Sequence, residues 1–349
     1  MALRSEPPAA DSALTILPCN GHTNPAASPT VTPATNPARL AALTDHKTGA
    51  VLSVAFSPDG KTMASASADT TVMMWDVANP ATPTRIATLT DHKDYVRSVA
   101  FSPDGRTMAT GSADATVMMW DVANPATPTR IATLTDHSHG VSSVAFSPDG
   151  KTMATGSDDD TVMTWNVANP AAPARLATLT PHEYYPVYSV AFSPDGKTMA
   201  TGGDDATVMM WNVANPAKPT RIATLTDHKQ WVHSVAFSPD GKTMASASWD
   251  NTVMVWNVAN PAHPTCITTL TDHKGKVETV AFSPDGKTMA TGGGDHTVMV
   301  WNVANPATPT RIATLTDHNA WANSVAFSPD GKTMATGIGD VIIWRLTAT

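Results

Sequence analysis

Six sets of histidine, serine or threonine, and aspartate recur along the chain, and these three residue types together can form a hydrolytic triad. In a triad the histidine takes a proton from the hydroxyl, and the aspartate orients the imidazole. In every set the hydroxyl residue lies ten positions before a tryptophan. The six sets, each with its tryptophan, are His46, Ser65, Asp69 and Trp75; His92, Thr110, Asp114 and Trp120; His137, Thr155, Asp159 and Trp165; His182, Thr201, Asp205 and Trp211; His228, Ser246, Asp250 and Trp256; and His273, Thr291, Asp295 and Trp301.

Catalysis does not require six copies of one triad, so the repetition favours a structural role for these sets. We expect the indole N–H of each tryptophan to donate to the hydroxyl, which meets the imidazole, which in turn meets the carboxylate. Such a network satisfies buried polar groups and ties the loop before a sheet to a turn within that sheet. The sequence therefore predicts no catalytic residue among these sets and no enzymatic activity.

The elements that must position these sets repeat with the same period. The tetrapeptide SPDG begins at residues 57, 102, 147, 193, 238, 283 and 328, which gives seven units at steps of 45 or 46. Within one unit, short alternating runs read RIATL, YVRSVAF, TMATG and TVMMWDV, each bounded by Gly, Pro, Asp or Asn. Each unit is therefore predicted to form one antiparallel sheet of four short strands.

These units resemble a known repeat family. His92, the segment SVAFSPDG, Thr110, Asp114 and the pair Trp120-Asp121 look like a WD40 repeat, and all seven units match over about residues 38 to 346. The near-identical repeats resemble those of bacterial WD-repeat proteins. The resemblance implies an all-β, seven-bladed WD40-type propeller and a structural role for the repeated networks, and the strand count points independently to radial β-repetition.

The two ends of the repeat array predict how the ring closes. The last unit stops soon after Trp344, without the RIATL-type run that follows each earlier tryptophan. Residues 39–44 (RLAALT) are a spare copy of that run, so we expect this N-terminal strand to complete the seventh blade. Residues 1–36 are rich in Pro, Ala, Thr and Ser and are predicted to form a disordered head, whereas residues 37–349 form the propeller.

Two units depart from the common pattern. In the seventh unit Asp340 lies four residues before Trp344 instead of six, so we predict a tighter turn and an incomplete network with His318 and Thr336. In the fourth unit Pro181 precedes the histidine where the other units have aspartate. Because proline has a fixed φ, we expect this loop to follow its own backbone path.

The repeats otherwise differ at few positions: the loop after each histidine, the residue after the next valine, and the neighbours of the network aspartate. In a WD40-like blade these positions fall on one face. The aromatic residues beyond the repeated framework all lie there, and surplus aromatics are typical of a binding surface. The predicted partner-binding residues are Tyr95, Asp158, Asp160, Glu183, Tyr184, Tyr185, Tyr188, Asp204, Trp231, Trp249 and Trp321.

Charge on this face is uneven. The acidic residues belong to the third and fourth units, whereas the fifth and sixth carry Lys229, Lys274 and Lys276. Carboxylates beside aromatic rings can receive a Lys or Arg side chain through charge pairing and cation–π contact. The predicted partner is therefore a protein or peptide with a basic side chain, and a solvated loop cluster is the alternative interpretation.

Composition excludes several other classes. The 22 Lys and Arg stand against 30 Asp and Glu, for a net charge of −8, which disfavours a nucleic-acid partner. Cys19 and Cys266 lie in unlike contexts, which predicts no disulfide framework, no cysteine zinc site and a reducing compartment. His139, His233 and His296 have no fixed ligand spacing, so we expect no metal. No run approaches the ~20 apolar residues of a membrane helix, and we expect a cytoplasmic monomer without membrane contact or cofactor.

Two function classes remain. The first is a non-enzymatic scaffold that binds a protein or peptide on the variable face. The alternative is a small-molecule or carbohydrate binder, or less readily a hydrolase, at the mouth of the central channel, where it would use the same aromatic residues with Asp158, Asp160 and Asp204.

Overall fold

The chain folds into seven four-stranded antiparallel sheets. The computed structural model describes residues 37–47 and 49–346, and all 28 strands of the described part belong to these sheets. The predicted disordered head, residues 1–36, and the last three residues of the predicted propeller lie outside the described residues. The described part contains no helix with the length and apolar character needed to cross a bilayer. The predicted all-β, seven-bladed architecture is confirmed.

The strands follow one another along the chain, four to a blade. Blade 1 contains β2 to β5, which are Val51–Phe56, Thr62–Ser67, Val72–Asp76 and Thr84–Leu89. Blade 2 contains β6 to β9, which are Val96–Phe101, Thr107–Ser112, Val117–Asp121 and Thr129–Leu134. Blade 3 contains β10 to β13, which are Val141–Phe146, Thr152–Ser157, Val162–Asn166 and Ala174–Leu179. Blade 4 contains β14 to β17, which are Val187–Phe192, Thr198–Gly203, Val208–Asn212 and Thr220–Leu225.

The remaining blades follow the same order, except at the end of the chain. Blade 5 contains β18 to β21, which are Val232–Phe237, Thr243–Ser248, Val253–Asn257 and Thr265–Leu270. Blade 6 contains β22 to β25, which are Val277–Phe282, Thr288–Gly293, Val298–Asn302 and Thr310–Leu315. Blade 7 contains β26 to β28 and also β1, which are Ser324–Phe327, Thr333–Gly337, Val341–Arg345 and Ala38–Leu43.

The N-terminal strand closes the ring, as predicted. β1 pairs antiparallel with β28, so that Arg39 lies opposite Trp344 and Leu43 opposite Val341. The sheet order β1-β28-β27-β26 places the first described strand outermost in the last blade. Both ends of the described chain therefore belong to one sheet, and blade 7 forms only when they meet.

The SPDG segment forms the turn between the first and second strands of every blade. In blade 1 the Ser57 hydroxyl donates to Asp59 Oδ1 at 2.6 Å, and the Lys61 amide donates to the same oxygen at 3.0 Å. Gly60 has a φ of 69°, and a Cβ at this position would lie 3.3 Å from Pro329 of the neighbouring blade. Glycine therefore serves both the left-handed turn and the close packing of blades.

Neighbouring blades meet at their first strands, which form the inner ring around a central channel. Ser53 of blade 1 accepts a hydrogen bond from the Val99 amide of blade 2 at 3.2 Å. The link recurs around the ring, and the equivalent Ser324 of blade 7 accepts from the Val54 amide of blade 1 at 3.1 Å. A serine of the inner strand thus joins each of these blades to the next.

The hydrophobic core lies between blades rather than in one central layer. One cluster combines Ala64, Val72 and Met74 of blade 1 with Val96 and Trp120 of blade 2. Burial of these side chains stabilises a sheet only when its neighbour is present. Each blade therefore depends on the next, as in other repeat architectures.

The expectation that the chain has no disulfide framework is wrong at Cys266. This residue lies in β21, the outermost strand of blade 5, and is disulfide-bonded. Disulfide formation requires two Cα atoms within about 7 Å, a distance that sequence separation and local context do not reveal.

Candidate functional site

The six repeated polar sets form hydrogen-bonded networks in blades 1 to 6. In each, the histidine Nδ1 lies 2.8 to 3.0 Å from the aspartate carboxylate. The histidine Nε2 lies 2.7 to 3.1 Å from the hydroxyl oxygen. The indole nitrogen lies 2.8 to 3.2 Å from that same oxygen. Each network therefore links the loop before a blade to its second strand, its third strand and the turn between them.

The direction of the network follows from the donors available. An indole N–H only donates, so the hydroxyl accepts from it and donates its own proton to Nε2. Nδ1 then carries the imidazole proton and donates to the carboxylate. All six hydroxyl residues are fully buried, with 0% of their surface exposed. A substrate carbonyl has no route to these oxygens, which argues against their use as nucleophiles.

The network keeps its carboxylates ionised. Burial alone raises the pKa of Asp159, but hydrogen bonds from His137 and Thr161 outweigh burial and hold this pKa well below its usual range. The same balance, with burial opposed by the histidine bond, lowers the pKa of Asp250 and Asp295. These carboxylates are therefore hydrogen-bond acceptors rather than acids.

Blade 7 has a different network. Trp344 still donates to Thr336 at 3.1 Å, and His318 Nε2 lies 3.3 Å from the same hydroxyl. His318 Nδ1 instead lies 3.2 Å from the Leu315 carbonyl oxygen, because the shortened turn does not bring Asp340 to it. Burial lowers the pKa of His318, and the bond to the carbonyl opposes this effect.

The predicted binding residues lie on one side of the ring, which we call the variable face. It carries the loops before the first strands and the turns between the second and third strands. In six of these turns the residue after the network aspartate has a φ between 63° and 69°. In the loop after Pro181, Tyr184 has a φ of 66° and the Tyr185 amide donates to the His182 carbonyl at 2.7 Å, so this loop has its own path.

Five rings on the variable face form a continuous aromatic cluster: Tyr188, Trp231, His233, Trp249 and Trp321. Trp231 and Trp249 stack with centroids 4.3 Å apart. Tyr188 stacks on His233 at 4.9 Å and contacts Trp231 at 5.5 Å. Trp321 meets Trp249 edge-on at 6.4 Å and is 42% exposed. The cluster joins blades 4, 5 and 7, and it leaves Trp321 as its most accessible ring.

A buried carboxylate supports this cluster from blade 6. Glu278 is 4% exposed, and its Oε2 accepts a hydrogen bond from the Trp249 indole at 3.1 Å. His233 Nδ1 lies 3.2 Å from the same oxygen. Among the described residues, Glu278 Oε1 is the one buried side-chain oxygen or nitrogen without a hydrogen-bond partner. Glu278 therefore fixes two rings of the cluster while keeping an unsatisfied oxygen.

Two of the predicted acidic residues are engaged within the protein. Asp158 pairs with Arg97 of blade 2 at 2.5 Å and accepts from the Ser142 hydroxyl at 2.9 Å. Burial raises the pKa of the Tyr188 phenol above its usual range, and the charges of Asp204 and Asp158 raise it further. Burial likewise raises the pKa of Asp204, while its hydrogen bond with Tyr188 opposes that effect.

The other predicted residues remain apart from the cluster. Tyr95 in blade 2 is 51% exposed, and Tyr184 and Tyr185 in the loop of blade 4 are 88% and 48% exposed. Glu183 is exposed in that same loop, and Asp160 is half-buried in a turn of blade 3. The variable face thus has an open tyrosine-rich side and a stacked side.

The sequence predictions missed two charged residues of the inner ring, Arg97 and Glu278. The residue after the first valine of the inner strand, or its equivalent in blade 7, differs in every repeat, and the series runs Leu52, Arg97, Ser142, Tyr188, His233, Glu278 and Asn323. The position is variable in the sequence, but the predicted partner-binding residues include only its tyrosine, Tyr188. Seven different residues at one position of otherwise similar repeats are the signal that identifies Arg97 and Glu278.

The opposite face is uniform by comparison. A cavity of about 740 Å³ lies between blades 5 and 6, lined by SPDG turn residues and by the Asn-Pro segment that follows the third strand. A smaller cavity of about 380 Å³ lies between blades 3 and 4 and has the same kinds of lining residue. Within the part of the chain that the structure describes, no group of three or more His, Cys, Asp or Glu is arranged to hold a metal ion.

Comparison with known proteins agrees with this architecture. The family model described as WD domain, G-beta repeat, matches residues 38–76, 83–121, 128–166, 174–212, 219–257, 264–302 and 309–340. No curated protein matches the chain. The seven matched segments cover more than half of the sequence, and each begins with the outer strand of one blade and continues into the next blade. The chain therefore belongs to the WD40 family.

Proposed function

We propose that this protein is a non-enzymatic scaffold that binds a protein or peptide on its variable face. The observation that carries the proposal is the continuous aromatic cluster across blades 4, 5 and 7. Aromatic anchors supply a large share of binding energy at interfaces. The opposite face repeats the same turn and loop residues around the ring and has no comparable aromatic cluster among the described residues.

The buried networks support binding over catalysis. The histidine, hydroxyl and aspartate groups that resemble a triad are engaged in structural hydrogen bonds, and their hydroxyls are inaccessible. A propeller built from mutually packed blades also holds its loops in fixed relative positions. A preorganised surface loses little entropy when a partner binds, which favours recognition.

The acidic side of the face receives a basic side chain of the partner. Asp158 is already paired with Arg97, and Asp204 interacts with Tyr188, so the accessible carboxylates are Asp160 and Glu183. Tyr184 and Tyr185 stand exposed beside Glu183 and offer ring faces to the same cation.

The test uses peptides selected from a random displayed library on the full chain. Trp321→Ala should weaken their binding by about 30-fold, the equivalent of about 2 kcal/mol for an anchor residue. Lys151→Ala, in the SPDGK turn of the opposite face, should leave binding unchanged. Peptides that bind equally to the Trp321→Ala protein and lose affinity for the Lys151→Ala protein would place the site on the wrong face.

The molecular setting is a separate part of the proposal. We expect a monomer that binds neither nucleic acid nor membrane, in line with the net charge of −8. The cytoplasmic location stays a prediction. Sedimentation and cell fractionation test these two points.

A further inference from the structure

Lys276 occupies the stacked side of the variable face. Its ammonium lies 3.4 Å from the centroid of the Trp249 ring and 5.8 Å from that of Trp321. No carboxylate of the described residues lies within ion-pair distance of this ammonium. Lys276 is also half-buried, so its charge is held against aromatic surface while one side faces solvent.

The carboxylate nearest to Lys276 along the chain forms no ion pair with this ammonium. Glu278 lies two residues after Lys276 and is the second residue of β22 (Val277–Phe282). Its Oε2 is instead engaged by the indole of Trp249 and lies beside His233, and the side chain is buried. Trp249 therefore carries an ammonium over its ring and a carboxylate at its N–H edge, and these two groups remain unpaired with each other.

The remaining charges of blades 5 and 6 leave a basic surface. Lys229 and Lys274 are exposed on the loops before these blades. The aspartates beside them, Asp250 and Asp295, are bound by the network histidines and by the amides of those same lysines. Accessible positive charge is thus concentrated beside the aromatic cluster, opposite the acidic side in blades 3 and 4.

We infer that Lys276, with Trp249 and Trp321, is a receptor site for a carboxylate of the bound peptide. The carboxylate, from an Asp or Glu side chain or from a C-terminus, pairs with the ammonium that the rings hold in place. A charge-assisted hydrogen bond of this kind is stronger than the cation–π contact alone. The inference rests on the proposed function and adds a direction: the acidic end of the peptide lies over blades 5 to 7 and its basic end over blades 3 and 4.

The experiment compares peptides selected on the full chain with their neutral variants. Selected sequences should be enriched in Asp or Glu, or should depend on a free C-terminus. Replacing that carboxylate by its amide should weaken binding about tenfold, as expected for loss of one hydrogen bond to a charged group. Amidation of the C-terminus and Asp→Asn or Glu→Gln changes within the peptide distinguish the two sources.

Protein variants supply the matched controls. Lys276→Met keeps an unbranched chain against the rings and should reproduce the tenfold loss for the acidic peptide but not for its amide. Lys274→Met removes a charge from the same loop without an aromatic contact and should have a smaller effect. Lys276→Glu should restore binding to a peptide whose acidic residue is replaced by lysine.

The outcomes separate this inference from the proposed function. Binding that depends on Trp321 but is unchanged in the Lys276→Met protein overturns the carboxylate site and leaves the scaffold function intact. Selected peptides without acidic residues or a required C-terminus also overturn it. A failure to select any peptide whose binding depends on Trp321 overturns the proposed function and this inference together.

Discussion

Single side chains in the repeated networks show how one sequence motif can resemble catalytic machinery and serve another purpose. The imidazole of His137 donates to Asp159, and the buried hydroxyl of Thr155 joins this histidine to Trp165. Each member satisfies the hydrogen-bonding capacity of the next, and the hydroxyl has no exposed surface. The networks therefore hold the strands and loops of a blade together through buried hydrogen bonds.

We predict that His137→Ala or Asp159→Ala lowers the free energy of unfolding by about 1–3 kcal/mol, because the remaining partners stay buried and unsatisfied. Asp340→Ala in blade 7 is the matched control. Its carboxylate makes no hydrogen bond among the described residues, so the change should stay within about 0.5 kcal/mol. Urea titration measures both effects. An equal loss in both blades would contradict the structural role of the network.

Two of the three tryptophans of the aromatic cluster, Trp249 and Trp321, should differ in how much their substitution lowers stability. Trp249→Phe removes the indole N–H that donates to buried Glu278, and it should lower the free energy of unfolding by about 1–3 kcal/mol. Trp321→Phe should lower it by less than about 0.5 kcal/mol, because that ring is exposed and its change touches no buried polar group. Thermal unfolding of the two variants, measured side by side, tests this difference.

The strands that join the chain ends carry the closure of the ring. β1 contributes Leu43 to a core cluster that also contains Val341 and Ile343 of β28 and Val51 of blade 1. Loss of β1 would bare the edge of β28 and expose these apolar side chains. An unpaired edge strand is also a site of aggregation.

Under reducing conditions, which open the disulfide at Cys266 in every sample, we predict that deletion of residues 1–36 leaves the melting temperature nearly unchanged, whereas deletion of residues 1–45 lowers it strongly. The second truncation removes the pairing partner of β28 and unfolds blade 7. Calorimetry on both proteins tests the prediction. Equal melting temperatures of the two truncated proteins would show that β1 does not close the ring.

Blade 7 should also open first. Its histidine has a carbonyl partner in place of the aspartate, and its outer strand comes from the other end of the chain and is held by pairing with β28. Amides of residues 333–346 and 39–44 should therefore exchange with solvent earlier than those of blades 2 to 5. Hydrogen exchange followed by mass spectrometry measures this order, and uniform protection around the ring would contradict it.

The stability of the whole molecule depends on pH because the same histidine–aspartate network recurs in blades 1 to 6. The pKa values of Asp159, Asp250 and Asp295 lie below those of an unfolded chain, so these carboxylates stabilise the fold above about pH 4 and lose that contribution as pH falls. Burial lowers the pKa of His92 and His318 in the folded protein. As pH falls below about 6.5, these histidines therefore take up protons in the unfolded chain before they do so in the folded protein, and the fold loses stability.

The aspartates and the histidines both make the fold less stable as pH falls. We expect the melting temperature to be constant above about pH 7, to fall below about pH 6.5 as the histidines favour the unfolded chain, and to fall more steeply below about pH 4. Asp159→Asn should reduce the fall in melting temperature below about pH 4 and leave the fall that begins below about pH 6.5 unchanged. A melting temperature that rises on acidification from about pH 7 to about pH 5 would contradict these pKa directions.

Binding also belongs to the whole ring, because no single repeat contains the site. The aromatic cluster takes rings from blades 4, 5 and 7, while Lys276 and Glu278 come from blade 6. A partner that spans this surface contacts several repeats at once. Its affinity therefore depends on the closed ring.

The sequence alone determined the number of blades, the four strands in each, the closing strand and the members of the repeated networks. Each of these follows from local periodicity or from comparison of one repeat with another. His137, Thr155 and Asp159 have counterparts at nearly the same spacing in every intact unit, so repetition identifies them together. The spare copy of the outer strand likewise required only a count of strands at the two ends.

Only the tertiary structure decided which residues of the variable face contact one another and which of its charged groups remain accessible to a partner. Arg97 pairs with Asp158, and Lys276 lies over Trp249, each across a boundary between blades. Neither pair follows from periodicity, because equivalent positions in other repeats carry different side chains that make different contacts. The disulfide at Cys266 escaped sequence reasoning for the related reason that distance along the chain does not measure distance in the fold.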